Sequence, residues 1–106
     1  MAEKYRRWRL RVEPSAQNDI DKLLSGKDEK AVFNSIERLL EADDPYRVPG
    51  VIRISSGKYR KMWRQRKGNW RIIFYTQPGQ VLHQGHVYKG VLHLVAVRRR
   101  SEDTYN

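Results

Sequence analysis

The cationic side chains of the C-terminal half are spaced so that several of them must meet. Between Tyr59 and Arg71 the chain carries Arg60, Lys61, Arg64, Arg66, Lys67 and Arg71, and near its end Arg98, Arg99 and Arg100. Lys67-Gly68-Asn69-Trp70 has the form of a two-residue β-hairpin loop, Gly-Asn being a signal for a type II′ or I′ turn. That turn pairs Lys67 with Trp70, Arg66 with Arg71 and Arg64 with Ile73. Arg66 and Arg71 then stand directly opposite each other on one sheet face. Arg64 lies two residues back on that face, and Met62 and Arg60 continue it. Like charges opposed across strands destabilise a sheet. An anion held between them removes the penalty, and guanidinium forks suit the bidentate contact that a phosphate offers. Arg98 and Arg100 share a face of the final strand and extend the same chemistry. Charge on an edge strand also guards against aggregation, a role that scattered lysines fill better than paired arginines.

The distribution of charge over the whole chain supports this reading. The 106 residues include 22 Lys and Arg against 12 Asp and Glu, a formal net charge of +10 and a pI near 10.2. Residues 1–12 hold five basic groups and one acid, residues 13–52 five and nine, and residues 53–106 twelve and two. No acidic side chain lies between Asp44 and Glu102. A solvated surface normally mixes signs, so a long segment of one sign points to a polyanionic partner, nucleic acid or an acidic protein surface. The length predicts one small domain over 1–106. The most apolar stretch, Val91 to Val97, is far too short to span a bilayer. There are no cysteines, which removes disulfides, thiolate metal sites and thiol nucleophiles. The first twelve residues lack an apolar signal-peptide core, which predicts a cytoplasmic protein.

The elements that must position these side chains follow from periodicity. Tyr5 to Val12 alternates, with Trp8, Leu10 and Val12 to one side and Arg7, Arg9 and Arg11 to the other, the period of a half-buried strand. Glu13-Pro14-Ser15 ends that strand and opens a helix. Ala16, Ile20, Leu23 and Leu24 make one helical stripe, which Ser25-Gly26 stops. A second helix from about Asp28 to Ala42 presents Val32, Ile36, Leu39 and Leu40, with Asp28 and Glu29 favouring its N-terminus. The short break makes the two an antiparallel hairpin. Being acidic, that hairpin reads as scaffold and not as a nucleic-acid surface. Residues 44–50 form a loop on turn chemistry. Strands follow at about 59–66, 70–76 and 91–98, with turn signals at Gln77-Pro78-Gly79-Gln80 and Lys89-Gly90. The stretch Val81–Tyr88 reads equally as an added hairpin arm or an ordered loop. The expected fold is therefore α+β, ordered β-α-α-β-β-β, a curved antiparallel sheet with the N-terminal helical hairpin on one face.

The segment Trp63-Arg64-Gln65-Arg66-Lys67-Gly68-Asn69-Trp70-Arg71-Ile72-Ile73-Phe74-Tyr75 resembles the R-x-R-x-G-x-Y-R-I-x-Y signature of RelE/ParE-type toxins. These are the small basic toxins of type II toxin–antitoxin modules. The terminal run from Val97 through Arg98, Arg99, Arg100, Ser101 and Glu102 to Tyr105 is similar to the R-x-R-S-E-x-Y end of the RelE branch, with one extra residue before the tyrosine. Upstream, Pro14, Ala16, Asp19 and Ile20 match the run that opens the helical hairpin. The resemblance implies a RelE-like microbial RNase fold and an mRNA endonuclease working in the ribosomal A site without metal or cofactor. It implies catalytic roles for Arg64, Arg71, Arg98 and Tyr105. RNA contacts fall to Lys58, Arg60, Lys61, Arg66 and Arg100, and the partner is a cognate acidic antitoxin. Two positions depart from the pattern. Met62 stands where some RelE toxins carry a catalytic lysine, with Arg60 and Lys61 near enough to substitute, and Trp70 replaces the tyrosine of the central motif.

RNA cleavage by its own 2′-OH requires that hydroxyl deprotonated, charge on the scissile phosphate stabilised and the leaving 5′-oxygen protonated. Arg71 and Arg98 would supply the electrostatic stabilisation. Arg64 would steady the phosphate or the leaving oxygen, Lys61 is a candidate proton donor, and Tyr105 a general base or a stacking residue. Such groups, with ordinary pKa values near 10 and above, are poor acid–base catalysts at neutral pH. Slow cleavage of free RNA is therefore expected, with a partner supplying positioning. His83, His86 and His93 offer a rival assignment as general bases or metal ligands. The first two have no carboxylate in the surrounding segment to orient them, and His93 alternates within an apolar strand. Among the aromatic residues, Tyr59 and Tyr105 are the candidates for stacking on a base. Competing functions are a ParE-like gyrase poison on the same fold and an RNA-binding module without catalysis.

Overall fold

In a computed structural model, which describes residues 6–99, the elements run β1 (Trp8–Val12), α1 (Pro14–Leu23), α2 (Gly26–Glu41), a 3₁₀ turn (Pro45–Arg47), β2 (Val51–Arg53), β3 (Trp63–Lys67), β4 (Trp70–His83) and β5 (His86–Arg99). The fold is α+β. Its sheet has five strands in the order β1-β5-β4-β3-β2. The expectation of a wholly antiparallel sheet is corrected, because β1 pairs with β5 in parallel, Trp8 opposite Gly90 and Val12 opposite Leu94. Successive hairpins fix the direction of β5, and the helices and the rest of the sheet separate it from β1. That span is long enough to be the crossover that parallel pairing needs. The sheet is mixed for that reason.

One face of the sheet carries the helices. Trp8, Trp70, Ile72, Phe74, Leu92, Leu94 and Val97 are buried there against Ala16, Ile20 and Leu24 of the α1 segment and Val32, Ile36, Leu39 and Leu40 of α2. Phe74, Ile72, Leu92 and Leu94 are wholly buried; each such side chain stabilises the fold by about 1.5–3 kcal/mol relative to exposure. Glu13 precedes α1 and Pro14 takes its first position, where the missing N–H costs nothing. Gly26 does not end α1. It reverses the chain with φ +51° and is the first residue of α2. The start of β1 is fastened to the end of α2: the Arg7 N–H donates to the Leu40 carbonyl at 2.7 Å, and Trp8 Nε1 to the Ala42 carbonyl at 3.0 Å.

Three strand boundaries differ from the periodicity reading. The strand expected at 59–66 starts only at Trp63, and 59–62 belong to a turn. Residues 51–53 form an edge strand, too short for alternation to show. The turn signals at 77–80 and 89–90 lie inside β4 and β5, which continue as one long arm to a turn at Gln84-Gly85. Both turn residues have positive φ, 50° and 76°, the pattern of a type I′ hairpin. Pro78 is tolerated in the strand because the register shifts between Pro78 and Val81, a bulge. Gly90 is there for space. A Cβ at that position would lie 2.3 Å from the Gln77 carbonyl oxygen and 2.8 Å from the Trp8 ring.

Candidate functional site

The β3–β4 hairpin has the register expected from Gly68-Asn69, with Lys67 opposite Trp70, Arg66 opposite Arg71 and Arg64 opposite Ile73. Only Gly68 of the turn has positive φ, +59°, which selects the type II′ form. The next strand adds the third member: Arg71 stands opposite Arg98 of β5. Arg66, Arg71 and Arg98 thus form a row across three strands, with Arg64 two residues from Arg66 on the same face. This face is opposite the helices, since Trp70, Ile72 and Phe74 occupy the other side of β4. Arg71 is only 7% exposed and forms the floor of the row. Arg66 is exposed and Arg98 half-buried, so these two meet solvent. Arg99 alternates to the helix side, its guanidinium carbon 5.3 Å from the Trp70 ring centroid. There it lines a groove of about 810 Å³ with Lys67, Asn69 and Asp28.

A loop from β2 to β3 folds over the arginine face. Ile54 is buried with Ile73 and Ala96, and Tyr59 and Met62 pack against them. The Ile54 N–H donates to the Met62 carbonyl at 2.9 Å, and the Lys61 N–H to the Ile54 carbonyl at 3.0 Å. Met62 is therefore an apolar anchor of this loop. Arg60, expected to continue the strand, is exposed in its turn, and so are Lys58 and Lys61. Lys61 holds φ at +76°, a left-handed conformation uncommon for a side chain of this kind. Lys58 Nζ lies 5.6 Å from the centre of the Tyr59 ring. Arg100 and Tyr105 lie outside the described residues.

Sequence reasoning missed the role of Asp19 as the group that orients Arg98. Where β1 ends, α1 takes its place beside β5 and satisfies the open edge. Ser15 Oγ donates to the Val95 carbonyl at 2.6 Å, and the Val97 N–H donates to Asp19 Oδ2 at 3.0 Å. The same Asp19 oxygen lies 3.8 Å from Arg98 Nε, and Arg98 Nη2 donates to the Tyr59 hydroxyl at 3.4 Å. A carboxylate thus steers this arginine from one side and a phenol from the other. The signal was present: Asp19 falls three residues after Ala16, within the buried stripe of α1, where a carboxylate requires partners.

His93 also has a carboxylate, brought from the far end of the sequence. Its Nδ1 lies 3.1 Å from Glu13 Oε2 and its Nε2 3.0 Å from Gln77 Oε1, and the ring stacks on Tyr75 at 4.5 Å. The hydrogen bond to His93 holds the Glu13 carboxyl below its ordinary value, aided by Arg11. With both ring nitrogens occupied and 9% exposure, His93 of β5 ties the β1–α1 junction at Glu13 to Gln77 of β4. Its place is structural. His83 and His86 face each other at the end of the hairpin arm. Among the described residues no group of three His, Asp or Glu side chains has the geometry to hold a metal ion, and no helix is long and apolar enough to cross a membrane. Compared with known protein families and with curated proteins, the chain matches none.

Proposed function

We propose that this protein is an endoribonuclease of the RelE type, the toxin of a type II toxin–antitoxin module, which cuts mRNA in the ribosomal A site. The observation that carries this reading is the row of Arg66, Arg71 and Arg98 on adjacent strands of one face. Three arginines at adjacent register positions concentrate positive charge on one face, and a phosphodiester matches the donor geometry of guanidinium groups. The likeness of the Trp63–Tyr75 segment to the RelE/ParE signature supports the same conclusion, as does the placement of two helices between the first strand and the rest, in keeping with a RelE-like fold. In the reaction Tyr105, as the phenolate, takes the proton of the 2′-OH, whose oxygen forms its bond to phosphorus as the bond to the 5′-oxygen breaks. Arg64, Arg71 and Arg98 stabilise the charge that builds on the phosphoryl oxygens, and Lys61 donates a proton to the departing 5′-oxygen. Lys58, Arg60 and Arg66 hold the strand, and a cognate antitoxin with an acidic segment covers this face between rounds of activity.

The test is primer extension on translating ribosomes with the wild type, Arg71→Ala and Arg98→Ala. Codon-localised cuts that disappear in both variants are the expected result. Intact mRNA with the wild type, accompanied by double-strand breaks trapped on gyrase, overturns the reading in favour of a ParE-like poison. Intact mRNA without such breaks, but with RNA retained on the protein, overturns it in favour of an RNA-binding module.

A further inference from the structure

The loop over the arginine face borders a second cationic hollow, open to solvent, on the side of the sheet edge. A cavity of about 500 Å³ is lined by Arg53, Ile54, Ser55, Arg60 and Lys61. Its polar lining is three cations and a hydroxyl. Among the described residues no carboxylate pairs with Arg53, Arg60 or Lys61, and the sequence around them is free of acids. The loop is held in shape by the bonds of Ile54 to Met62 and Lys61, by the Arg60 N–H donating to the Gly57 carbonyl at 3.2 Å, and by the Met62 N–H donating to the Tyr59 carbonyl at 3.0 Å. Ile54, Tyr59 and Met62 anchor it to the sheet. The cations are therefore gathered by a braced backbone, and at Lys61 by a left-handed residue with φ +76°. A non-glycine residue in that region costs about 1–2 kcal/mol, and the same expense recurs at ligand clamps.

We infer that Arg53, Ser55 and Arg60 form in this hollow a phosphate subsite for the RNA backbone, apart from the arginine row and engaging a phosphate next to the scissile one, while Lys61, which also lines the hollow, serves the scissile bond. The inference rests on the RNA-cleaving reading for its ligand. Arg53 and Ser55 are new to the site, and neither belongs to the signature of the hairpin. Continuity argues for a polynucleotide over a free anion. Tyr59 belongs to the loop that builds the hollow, and its hydroxyl meets Arg98 at 3.4 Å, so the two cationic regions share one rigid support. One strand crossing that support meets both.

The experiment measures binding of a 2′-O-methyl oligoribonucleotide, which lacks the attacking hydroxyl, by fluorescence anisotropy over a salt series. The proteins are the wild type, Arg53→Ala, Arg53→Lys, Ser55→Ala and, as a control on the solvent side of α2, Arg38→Ala. Arg53→Ala is expected to weaken binding about tenfold and to reduce the slope of log K against log salt by about 0.7, one phosphate contact on a single strand. Arg53→Lys should restore the slope while recovering only part of the affinity, because an ammonium lacks the fork. Ser55→Ala should weaken binding with the slope unchanged. Equal affinity and slope in Arg53→Ala and wild type overturn the inference, and so does an equal loss in Arg38→Ala. Tighter binding of an Asp- and Glu-rich peptide, abolished by Arg53→Ala, overturns it in favour of a protein partner. Inorganic phosphate competing at the hollow as well as the oligonucleotide overturns the polynucleotide assignment in favour of a free anion. Because the probe is uncleavable, the result stands apart from ribosome cleavage. A wild type that cuts nothing yet shows the Arg53 effect removes the nuclease reading and leaves the subsite.

Discussion

Asp19 performs two tasks with one oxygen, accepting from the Val97 N–H at 3.0 Å and lying 3.8 Å from Arg98 Nε. The tasks can be separated by substitution. Asp19→Ala leaves a buried N–H without its acceptor, which costs about 1–3 kcal/mol and should lower the urea midpoint. Asp19→Asn keeps an acceptor oxygen and removes the charge, so it should retain most of the stability and, on the proposed nuclease reading, lower mRNA cleavage through Arg98. A cleavage rate for Asp19→Asn equal to wild type would show that the carboxylate serves the strand edge alone. Glu13 offers a second test. Its carboxyl, hydrogen-bonded to His93 and flanked by Arg11, titrates lower in the folded chain than in the unfolded one. Its contribution is therefore complete above the ordinary carboxylate value of about 4 and is lost as pH falls through the lower folded value. Glu13→Gln should accordingly melt below the wild type at pH 7, and the gap should narrow as the pH falls through and below the ordinary carboxylate range. Asp43 behaves in the same sense through its hydrogen bond to Lys89, so some acid sensitivity remains in Glu13→Gln.

Among the elements, the long β4–β5 arm shows how local signals can point the wrong way. Pro78-Gly79 and Lys89-Gly90 are turn dipeptides by composition, yet one lies at a bulge and the other at a close approach between strands. Propensity registers the absence of a side chain and not the reason for it. Gly90→Ala would force its methyl group into the Gln77 carbonyl and the Trp8 ring, and the resulting displacement of β1 should cost about 1–3 kcal/mol. Thermal melts check this, and an unchanged Tm would mean that β1 moves freely against the arm. By contrast, Gly68-Asn69 reads correctly because a two-residue loop fixes the register of both strands whatever surrounds them. The helices were legible to within two residues for a similar reason: Val32, Ile36, Leu39 and Leu40 repeat at the helical period and all are buried.

Across the whole molecule the charge is divided between surfaces. The helical segment carries most of the acids, while the face opposite the helices carries Arg64, Arg66, Arg71 and Arg98 with the basic loop above them. On the proposed reading, binding to RNA should therefore be strongly salt-dependent. With about four phosphate contacts, affinity for a single strand should fall roughly 50-fold between 50 and 200 mM salt. An affinity indifferent to salt would place the RNA elsewhere or exclude it. The sequence by itself determined the amphipathic helices, the turn at Gly68-Asn69 and the pairing of Arg66 with Arg71, because each depends on residues close along the chain. Tertiary structure alone decided the parallel pairing of β1 with β5, the entry of Arg98 into the row, and the meetings of Asp19 with Arg98 and Glu13 with His93. The β1–β5 pairs and the meetings of Asp19 and Glu13 with their partners join residues about eighty positions apart, and Arg98 reaches Arg71 only through the register of the long β4–β5 arm; no period or spacing in the sequence encodes a pairing that depends on how the sheet closes.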